Sequence, residues 1–592
     1  MSDLGRHGGP APRSLLVVAA VAVGFAAADT YVVVLALPDM MASVGLSIDQ
    51  LQRGAPVISG FLLGYVAMLP LIGRISDVRG RIPVLVGSLV AFSLGSLVTA
   101  GSYDLTTMVL GRFLQGAGGG GLVPATLALV ADIWAADRRG LPLGVVGAVQ
   151  ELGSVIGPLY GGLVLSRWSW QTIFWINCAG GLGLIAALVV LGRAAAAELP
   201  ADGEVDRAQR AHYDGVGLLL AVLTLTALVL VMTEPARLVS GLTTGLVFIR
   251  YGWDSRWSTP MAAALLMLLI AFVARQVTAR RPLLGWREWP LLARSVDLSG
   301  AVLLALGLAG IVLAFATANP EVQVLSRSGG WLLAGSGVAG AAFLLRQRRA
   351  PAPLVPAGAL RARAAWGALA VSFFVGAALI AALVDVPVFA RVTVYPESQL
   401  DAALVLVRFL VAVPVGAVLG GYLSRRVPAA LSAAGGMLLA AAALALMTRW
   451  GATSLLHSGA TVPLVLGGLG FGLAIAPTNA ALLAATRGAV HGLASALLVV
   501  ARMVGMLVGI SALTTIGLRR FYEVSAQQPT LRETCHSDTL CDAYVETLRT
   551  AGIAQLHAVF WGAAACAALA AVLAATLLRP ERPAQASDVR RR

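Results

Sequence analysis

The sequence predicts an all-α protein that crosses a membrane many times, and three observations support this fold class. Of the 592 residues, 58% are hydrophobic and only 12% are charged, whereas soluble domains average about 25% charged residues. Runs of about 20 apolar residues recur along nearly the whole chain, and each can cross the ~30 Å hydrocarbon layer as a helix. Most of these runs also lack the polar face, with a period of 3.6 residues, that a soluble helix presents to water.

Sixteen such runs define the predicted spans, and fourteen is the alternative count. They give an N-terminal six-helix half (residues 1–195), a central linker (196–362) with two predicted helical hairpins, and a C-terminal six-helix half (363–592) with a periplasmic extension at 518–553. In chain order the predicted spans cover residues 14–36, 53–72, 83–101, 105–128, 140–165, 171–191, 214–232, 261–279, 297–317, 330–345, 364–389, 399–423, 428–448, 461–484, 490–516 and 555–578.

The arginines of the loops predict the orientation of the chain. With the N-terminus inside, the inner loops contain "RISDVRGR", "ADRRG", "ARQVTARR" and "SRR", whereas the outer loops hold fewer cations. The positive-inside rule then places both termini in the cytoplasm of a bacterial inner membrane. The net charge of +14 is explained by these loops, so no nucleic-acid partner is expected.

The central linker contains a weak internal repeat. "HYDGVGLLLAVL" (212–223) and "SVDLSGAVLLAL" (295–306) each place Asp-x-x-Gly before an apolar run, and a second span ending in arginines follows each of them. This pattern favours two tandem hairpins. The alternative is a coincidental alignment of Leu- and Ala-rich segments.

The four cysteines fall into two groups. Cys535 and Cys541 lie in the long polar loop that the charge pattern places outside, and their spacing in an oxidising compartment favours a small disulfide loop. Cys178 and Cys566 lie in predicted spans and are expected to be ordinary small apolar residues.

Several spans carry charged residues: Asp29 in span 1, Arg112 in span 4, Glu151 in span 5 and Arg408 in span 12. Ionisable groups inside a membrane are costly and point to function by default. The alternatives are a structural role for Asp29, a fixed intramembrane salt bridge for Glu151, and a neighbouring carboxylate or carbonyl groups that hold Arg112 in place. For Arg408 the alternative is a side chain that snorkels to the outer interface.

The loop after span 2 reads "GRISDVRGR" and contains Gly73, Asp77, Gly80 and Arg81. Its glycines permit a tight turn, Asp77 can cap the start of a helix, and arginines can bind carbonyl groups at helix ends.

Span 5 contains a second glycine motif, "GSVIGPLYGG", with Gly153, Gly157, Pro158 and Gly161. Small residues allow close packing on a partner helix, and the Gly-Pro pair predicts a bend or hinge. For Gly161 and Gly162, packing alone is an equally good explanation.

Together these motifs resemble the major facilitator superfamily, and specifically its drug–proton antiporter branch with extra central helices. The loop motif, the span-4 "GRFLQG" with Arg112, the span-5 motif, and the span-1 pattern "DTYVVVLALP" beginning at Asp29 occur in the family's order over the first 165 residues. The resemblance implies a major facilitator fold of two six-helix halves with inserted central helices.

A closer resemblance, to the mycobacterial triacylglyceride and multidrug exporters, extends over most of the chain outside the centre. It is carried by "DTYVVV", "QELGSVIGPLYG", "LVDVPVF" and "HGLASALLVVARMVGMLVG". It implies a periplasmic lipid-binding lipoprotein as partner, and functional roles for Asp29, Glu151 and Arg502. Two features depart from that family: it has one central hairpin, and it is expected to have an apolar or aromatic residue where Arg408 stands.

These observations predict a proton-coupled efflux transporter that exports triacylglyceride-like lipids, amphiphilic drugs or both by alternating access. The proton gradient is expected to supply the energy without a cofactor, because "GAGGGG" lacks the Gly-Lys-Ser/Thr of a phosphate-binding loop. The six histidines are scattered without the spacing of metal ligands, so no metal is expected. The alternatives are a membrane-embedded lipid-modifying enzyme, for which no nucleophile site is evident, and a transport-inactive receptor or scaffold.

Finally, the register of spans 5 and 12 predicts an ion pair between Glu151 and Arg408 in one conformational state. The offset between the two positions is about 8 Å at 1.5 Å per residue, within reach of two long side chains. Arg502 in span 15 is the competing partner for Glu151.

Overall fold

The computed structural model describes residues 10–46, 51–197, 214–251, 255–279, 282–283, 289–316, 326, 328–396, 398–529, 531–535 and 541–579. Within these ranges the regular elements are helices, and sixteen of the helices are long. They are α1 Pro10–Ser43, α2 Leu51–Arg79, α3 Arg81–Ala100, α4 Leu105–Ile133, α5 Gly140–Leu165, α6 Gln171–Ala197, α7 Gly215–Thr233, α8 Pro260–Thr278, α9 Leu298–Ala316, α10 Gly329–Arg349, α11 Arg363–Thr393, α12 Gln399–Leu423, α13 Ala429–Met447, α14 Thr461–Ala485, α15 His491–Ser525 and α16 Asp542–Leu577.

Fifteen of these helices are long and apolar enough to cross a membrane, which confirms the predicted fold class. The remaining long helix, α10, has 21 residues at the position of the tenth predicted span. Its glycines and the three arginines of its last turn make it less apolar than the others. Part of the predicted central linker, residues 198–213 and 317–325, lies outside the described residues.

Helices α1–α6 form the N-terminal half and α11–α16 the C-terminal half. One apolar core lies within the C-terminal half, whereas the main core of the N-terminal half extends to buried residues of α9, α14 and α15. The "GAGGGG" run of α4 is part of this packing. A side chain at Gly116 or Gly118 would meet the backbone of Phe61 in α2 or of Phe92 in α3. The glycines therefore allow three helix backbones to approach closely.

The two halves meet at one end of the bundle. This end carries the loops at 80, 134–139, 424–428 and 486–490; we call it the inner end, because the arginine pattern predicts that it faces the cytoplasm. Here α5 packs on α12 and α2 packs on α15. A Cβ added at Gly140 would lie 2.6 Å from the carbonyl oxygen of Gly421. The inner end is therefore closed, and the opposite end is called the outer end.

The central helices form two antiparallel hairpins, α7 with α8 and α9 with α10. In both hairpins, an aspartate before the first helix makes the same set of hydrogen bonds. Asp214 accepts a hydrogen bond from the Gly217 amide at 3.0 Å and pairs with Arg275 at 2.8 Å.

In the second hairpin, Asp297 accepts from the Gly300 amide at 3.2 Å and pairs with Arg346 at 3.1 Å. The Asp-x-x-Gly repeat of the sequence thus corresponds to a repeated three-dimensional unit, in which the aspartate caps one helix and binds the other.

Helices α15 and α16 have 35 and 36 residues, about 50 Å each at 1.5 Å per residue, and so are longer than a ~30 Å hydrocarbon layer. They run on into an outer extension that includes the short helix Leu531–Cys535. A disulfide joins Cys535 to Cys541. Residues 536–540 between them lie outside the described part of the chain.

Candidate functional site

A buried ion pair lies in the core of the N-terminal half. Arg112 of α4 donates a hydrogen bond from Nη1 to Asp29 Oδ2 of α1 at 2.7 Å, and each residue is only 1% exposed. Asn177 of α6 donates to the other oxygen, Oδ1, of Asp29. Both carboxylate oxygens are therefore hydrogen-bonded, as the burial of an ionised group requires.

The arginine of this pair is held by further contacts. Arg112 also donates to the side-chain oxygen of Gln115, whose amide in turn donates to Ser96 Oγ at 3.0 Å. The guanidinium carbon lies 4.4 Å from the centroid of the Phe61 ring. A charged group surrounded in this way has little freedom to move, so Asp29 and Arg112 act as one fixed unit in this conformation.

Glu151 and Arg502 bring opposite charges to the facing surfaces of the two halves. Glu151 of α5 and Arg502 of α15 are both half-buried. Within the described residues no hydrogen bond or ion pair joins them directly, and Arg502 Nε is buried without a hydrogen-bond partner. The two charges are therefore not joined in this conformation.

Arg408 makes a different contact. Its Nη1 donates a hydrogen bond to Thr461 Oγ1 at 3.0 Å, and Thr461 is the first residue of α14 at the outer end. In this conformation the predicted pair of Glu151 and Arg408 is not formed. The contact corresponds to the outward-directed side chain that was the alternative for Arg408.

The glycine motif of α5 packs against α1 within the N-terminal half. Side chains at Gly153, Gly157 and Gly161 would meet Gly24, Ala28 and Val32, respectively. The three glycines therefore fix the α1–α5 contact that positions Asp29 and Glu151. Helix α5 continues through Pro158 without interruption, and Gly162 faces open space.

The loop motif joins the two halves at the inner end. Asp77 of α2 accepts hydrogen bonds from the main-chain amides of Gly492 and Leu493 at 2.8 and 2.9 Å. These amides belong to the first turn of α15, where a carboxylate is favoured both as a cap and by the helix dipole. A residue of one half thus caps a helix of the other half.

Arg81 holds Asp77 in place. It donates from Nη1 to Asp77 at 2.6 Å and from Nε to Asp132 of α4 at 3.0 Å. Gly80 between α2 and α3 has φ +91°, in the left-handed region that favours glycine. Gly73 provides room for α15, because a Cβ there would lie 2.6 Å from the carbonyl oxygen of Gly492.

Some residues of these clusters were not expected from the sequence. Asn177 and Gln115 are polar residues inside apolar spans, and that signal alone could have identified them as partners of an intramembrane charge. Asp132 and the amides of α15 carry no local signal, because their contacts join distant segments. Asp385, in the motif "LVDVPVF", places a half-buried carboxylate in α11, a position to which the resemblance assigned no role.

Comparisons with known proteins agree with this architecture. Residues 19–347 match the family described as Major Facilitator Superfamily. A triacylglyceride transporter of Mycobacteroides abscessus is 36% identical over 524 residues, which cover 86% of this chain and 84% of the relative. A triacylglyceride transporter of Mycobacterium tuberculosis is 36% identical over 522 residues, with 85% and 82% covered.

Among solved structures, the human organic anion transporter MFSD10 is similar, with a TM-score of 0.53 and 14% identity over 96% of this chain and 100% of that one. At this identity the likeness concerns the fold alone. Together with the family match, the relatives identify the protein as a membrane transporter and not an enzyme. The chain belongs to the major facilitator superfamily.

Proposed function

We propose that this transporter exports triacylglyceride-like lipids across the bacterial cytoplasmic membrane by alternating access, driven by the proton gradient, with both termini in the cytoplasm. The observation that carries the proposal is the placement of Glu151 and Arg502, half-buried opposite charges on helices of the two halves that no direct bond joins in this conformation. The names of the relatives support a lipid substrate, and the arginine-rich inner loops support the orientation.

The closed inner end and the Glu151–Arg502 pair suggest how protons would act. A carboxylate that is drier in one conformation than in the other binds a proton with a different affinity in each. Protonation of Glu151 would also remove its attraction to Arg502. The proton would therefore shift the equilibrium between the two conformations, by about 1.4 kcal/mol for each tenfold difference in proton affinity.

The outer extension supports a role in lipid transfer. Helices α15 and α16 continue past the length of a bilayer, and the disulfide between Cys535 and Cys541 joins the segments that connect them. A water-insoluble substrate needs a route beyond the membrane surface. We therefore include a periplasmic lipid-binding lipoprotein as the partner that would receive lipid at residues 518–553.

Reconstituted proteoliposomes test the proposal with a fluorescent triacylglycerol and a pH-sensitive dye. Lipid movement should depend on an imposed pH gradient in the wild type, and Glu151→Gln should remove that dependence. Asp137→Asn is the matched control, because Asp137 forms an exposed ion pair with Arg138 in an inner loop. The proposal would be contradicted if lipid movement by the wild type did not depend on the pH gradient. It would also be contradicted if the protein transported amphiphilic drugs but no triacylglycerol.

A further inference from the structure

The first central hairpin, α7 with α8, has a long connection at the outer end. Each of its helices has 19 residues, about 28 Å at 1.5 Å per residue, which matches the ~30 Å hydrocarbon layer. The chain between the two helices therefore begins and ends at the outer surface of the membrane. We call its described residues, 234–251 and 255–259, the outer connection.

Exposed tryptophans mark the same level of the molecule. Trp168 between α5 and α6, Trp257 just before α8 and Trp331 in the first turn of α10 lie at the outer ends of spans, and each is 49 to 85% exposed. Tryptophan and tyrosine are enriched where a protein crosses the interface between membrane and water. The outer connection, which contains Trp257, thus lies at the outer interface.

The outer connection is held in a defined position. Trp257 Nε1 donates a hydrogen bond to the hydroxyl of Tyr103, in the loop between α3 and α4, at 2.6 Å. The guanidinium carbon of Arg256 lies 4.6 Å from the centre of the same ring. Arg250 and Arg256 also pair with Glu234 at the end of α7, at 3.2 and 3.4 Å. These contacts fix the connection to its own hairpin and to the N-terminal half.

Folding of the outer connection buries one large apolar side chain and leaves others outside. Phe248 is 7% exposed, whereas Leu242 is 97% exposed. Further apolar and aromatic side chains on the outside are 43 to 65% exposed: Val239, Leu246, Ile249, Tyr251 and Trp257. A folded segment that turns so many apolar groups outward indicates a partner that covers them.

The surroundings of the outer connection identify this partner as membrane lipid. The hairpin lies at the edge of the bundle, where its main contact with another long helix is that of α7 with α3. On α8, an apolar stripe on one helix face is 41 to 59% exposed: Leu266, Ile270, Val273 and Val277. The outer connection continues this lipid-facing surface toward the headgroups. Arg237 in the connection is also exposed and carries a charge that attracts lipid phosphate.

We propose that the outer connection is an interfacial membrane anchor, which inserts Leu242 and its apolar neighbours into the outer leaflet among the phospholipid headgroups. Apolar side chains of interfacial segments enter the boundary between headgroups and acyl chains by about 5–10 Å. Because Tyr103 belongs to the N-terminal half, the anchor fixes the outer end of that half at the membrane surface. Binding to the leaflet does not depend on which substrate the protein transports.

Fluorescence quenching tests the anchor on the full-length protein in nanodiscs of phosphatidylcholine and phosphatidylglycerol. In a chain with Cys178→Ala and Cys566→Ala, an environment-sensitive fluorophore is attached at Leu242→Cys. The lipid control is Ile270→Cys on α8, and the water control is Glu523→Cys, at an exposed position near the outer end of α15. Nitroxide-bearing phosphatidylcholine should quench at 242 and 270. Aqueous iodide should quench about fivefold more strongly at 523 than at 242.

A second experiment tests which side chains hold the connection on the leaflet. With the fluorophore at Ile249→Cys, the exchange Leu242→Ser with Leu246→Ser should raise quenching by iodide about threefold, because the inserted apolar groups are lost. Both leucines are exposed, so the fold should be retained. The matched control is Ser240→Ala with Thr243→Ser, two exposed polar positions of the same connection, which should leave the quenching unchanged.

Three results would overturn the proposal. The first is strong quenching by iodide at position 242 in lipid alone, which would leave this surface to water or to another protein. The second is protection from iodide without quenching by the nitroxide lipid, which would place a second copy of the chain on this surface. The third is unchanged quenching at position 249 in the serine variant, which would show that the two leucines do not hold the connection on the leaflet.

Discussion

Asp77 of α2 caps the first turn of α15 by accepting a hydrogen bond from the amide of Gly492 at 2.8 Å. The two residues belong to different halves, and α2 and α15 move apart when the inner end opens in a rocking transporter. Under the proposed alternating-access mechanism, this hydrogen bond stabilises the inner-closed conformation and not the fold of either half.

Replacing Asp77 should shift the transporter toward the inner-open conformation. A hydrogen bond to a charged group contributes about 1.5–3 kcal/mol, so Asp77→Ala should change the ratio of the two conformations by at least about tenfold. Spin-label distances between the inner ends of α2 and α15 would measure the shift. Asp104→Ala is the control, because Asp104 caps α4 from within one half and should lower stability without changing those distances.

Glycine substitutions should separate contacts between the halves from contacts within one half. Gly73→Ala would bring a methyl group to within 2.6 Å of the Gly492 carbonyl oxygen and should open the inner end. Gly157→Ala disturbs the α1–α5 contact and should lower thermal stability instead. Gly162→Ala should change neither property, because nothing lies near that position. If cysteine accessibility shows that the inner end of Gly73→Ala stays closed, the close approach of Gly73 to Gly492 is not required for closure.

We expect the Asp29–Arg112 pair to be required for the stability of the fold, whether or not it also carries protons. Asp29→Asn leaves a buried arginine without its counter-charge, a loss of about 3–5 kcal/mol for a buried pair. Adding Arg112→Gln should recover much of the thermal stability. If Asp29 carries protons, gradient-driven transport should stay lost in the stable double variant; normal coupling there would remove both residues from the proton pathway.

Charge exchange should identify the partner of Glu151. We expect Glu151→Arg with Arg502→Glu to recover part of the transport that each single variant loses, because the coupling between the halves is restored. Glu151→Arg with Arg408→Glu should stay inactive if the contact of Arg408 with Thr461 persists through the cycle. If transport recovers in the Arg408 exchange and not in the Arg502 exchange, the result would support the ion pair that the helix register predicts.

The start of the first hairpin should be insensitive to pH in the range in which transport is assayed. Arg275 and the Gly217 amide hold the pKa of Asp214 below its ordinary value of 3.8. The stabilisation is therefore complete above that value and is lost only as the pH falls through the lower folded-state pKa. The contribution of Asp214 to the unfolding temperature should not change between about pH 5 and 8, so Asp214→Ala should unfold at a lower temperature than the wild type by the same amount throughout this range.

The sequence by itself determined the fold class, the spans and the chemistry available to the site. Apolar length decides whether a helix can cross a membrane, and that property is local. The same holds for the Asp-x-x-Gly repeat, since a helix cap involves residues three positions apart. The glycine motifs of the loop after span 2 and of span 5 could likewise be recognised in the sequence, because close packing requires glycine at fixed intervals.

The tertiary structure alone decided which groups meet. Asp29 with Arg112, Asp77 with the amides of α15, and Arg408 with Thr461 join segments 53 to more than 400 residues apart, so no periodicity predicts them. Helix register placed Arg408 within reach of Glu151, but a long side chain can turn toward either end of its helix, and only packing selects the direction. The packing of α9 on both α2 and α15 has the same origin, because an apolar helix fits many apolar surfaces and its sequence does not specify which one it covers.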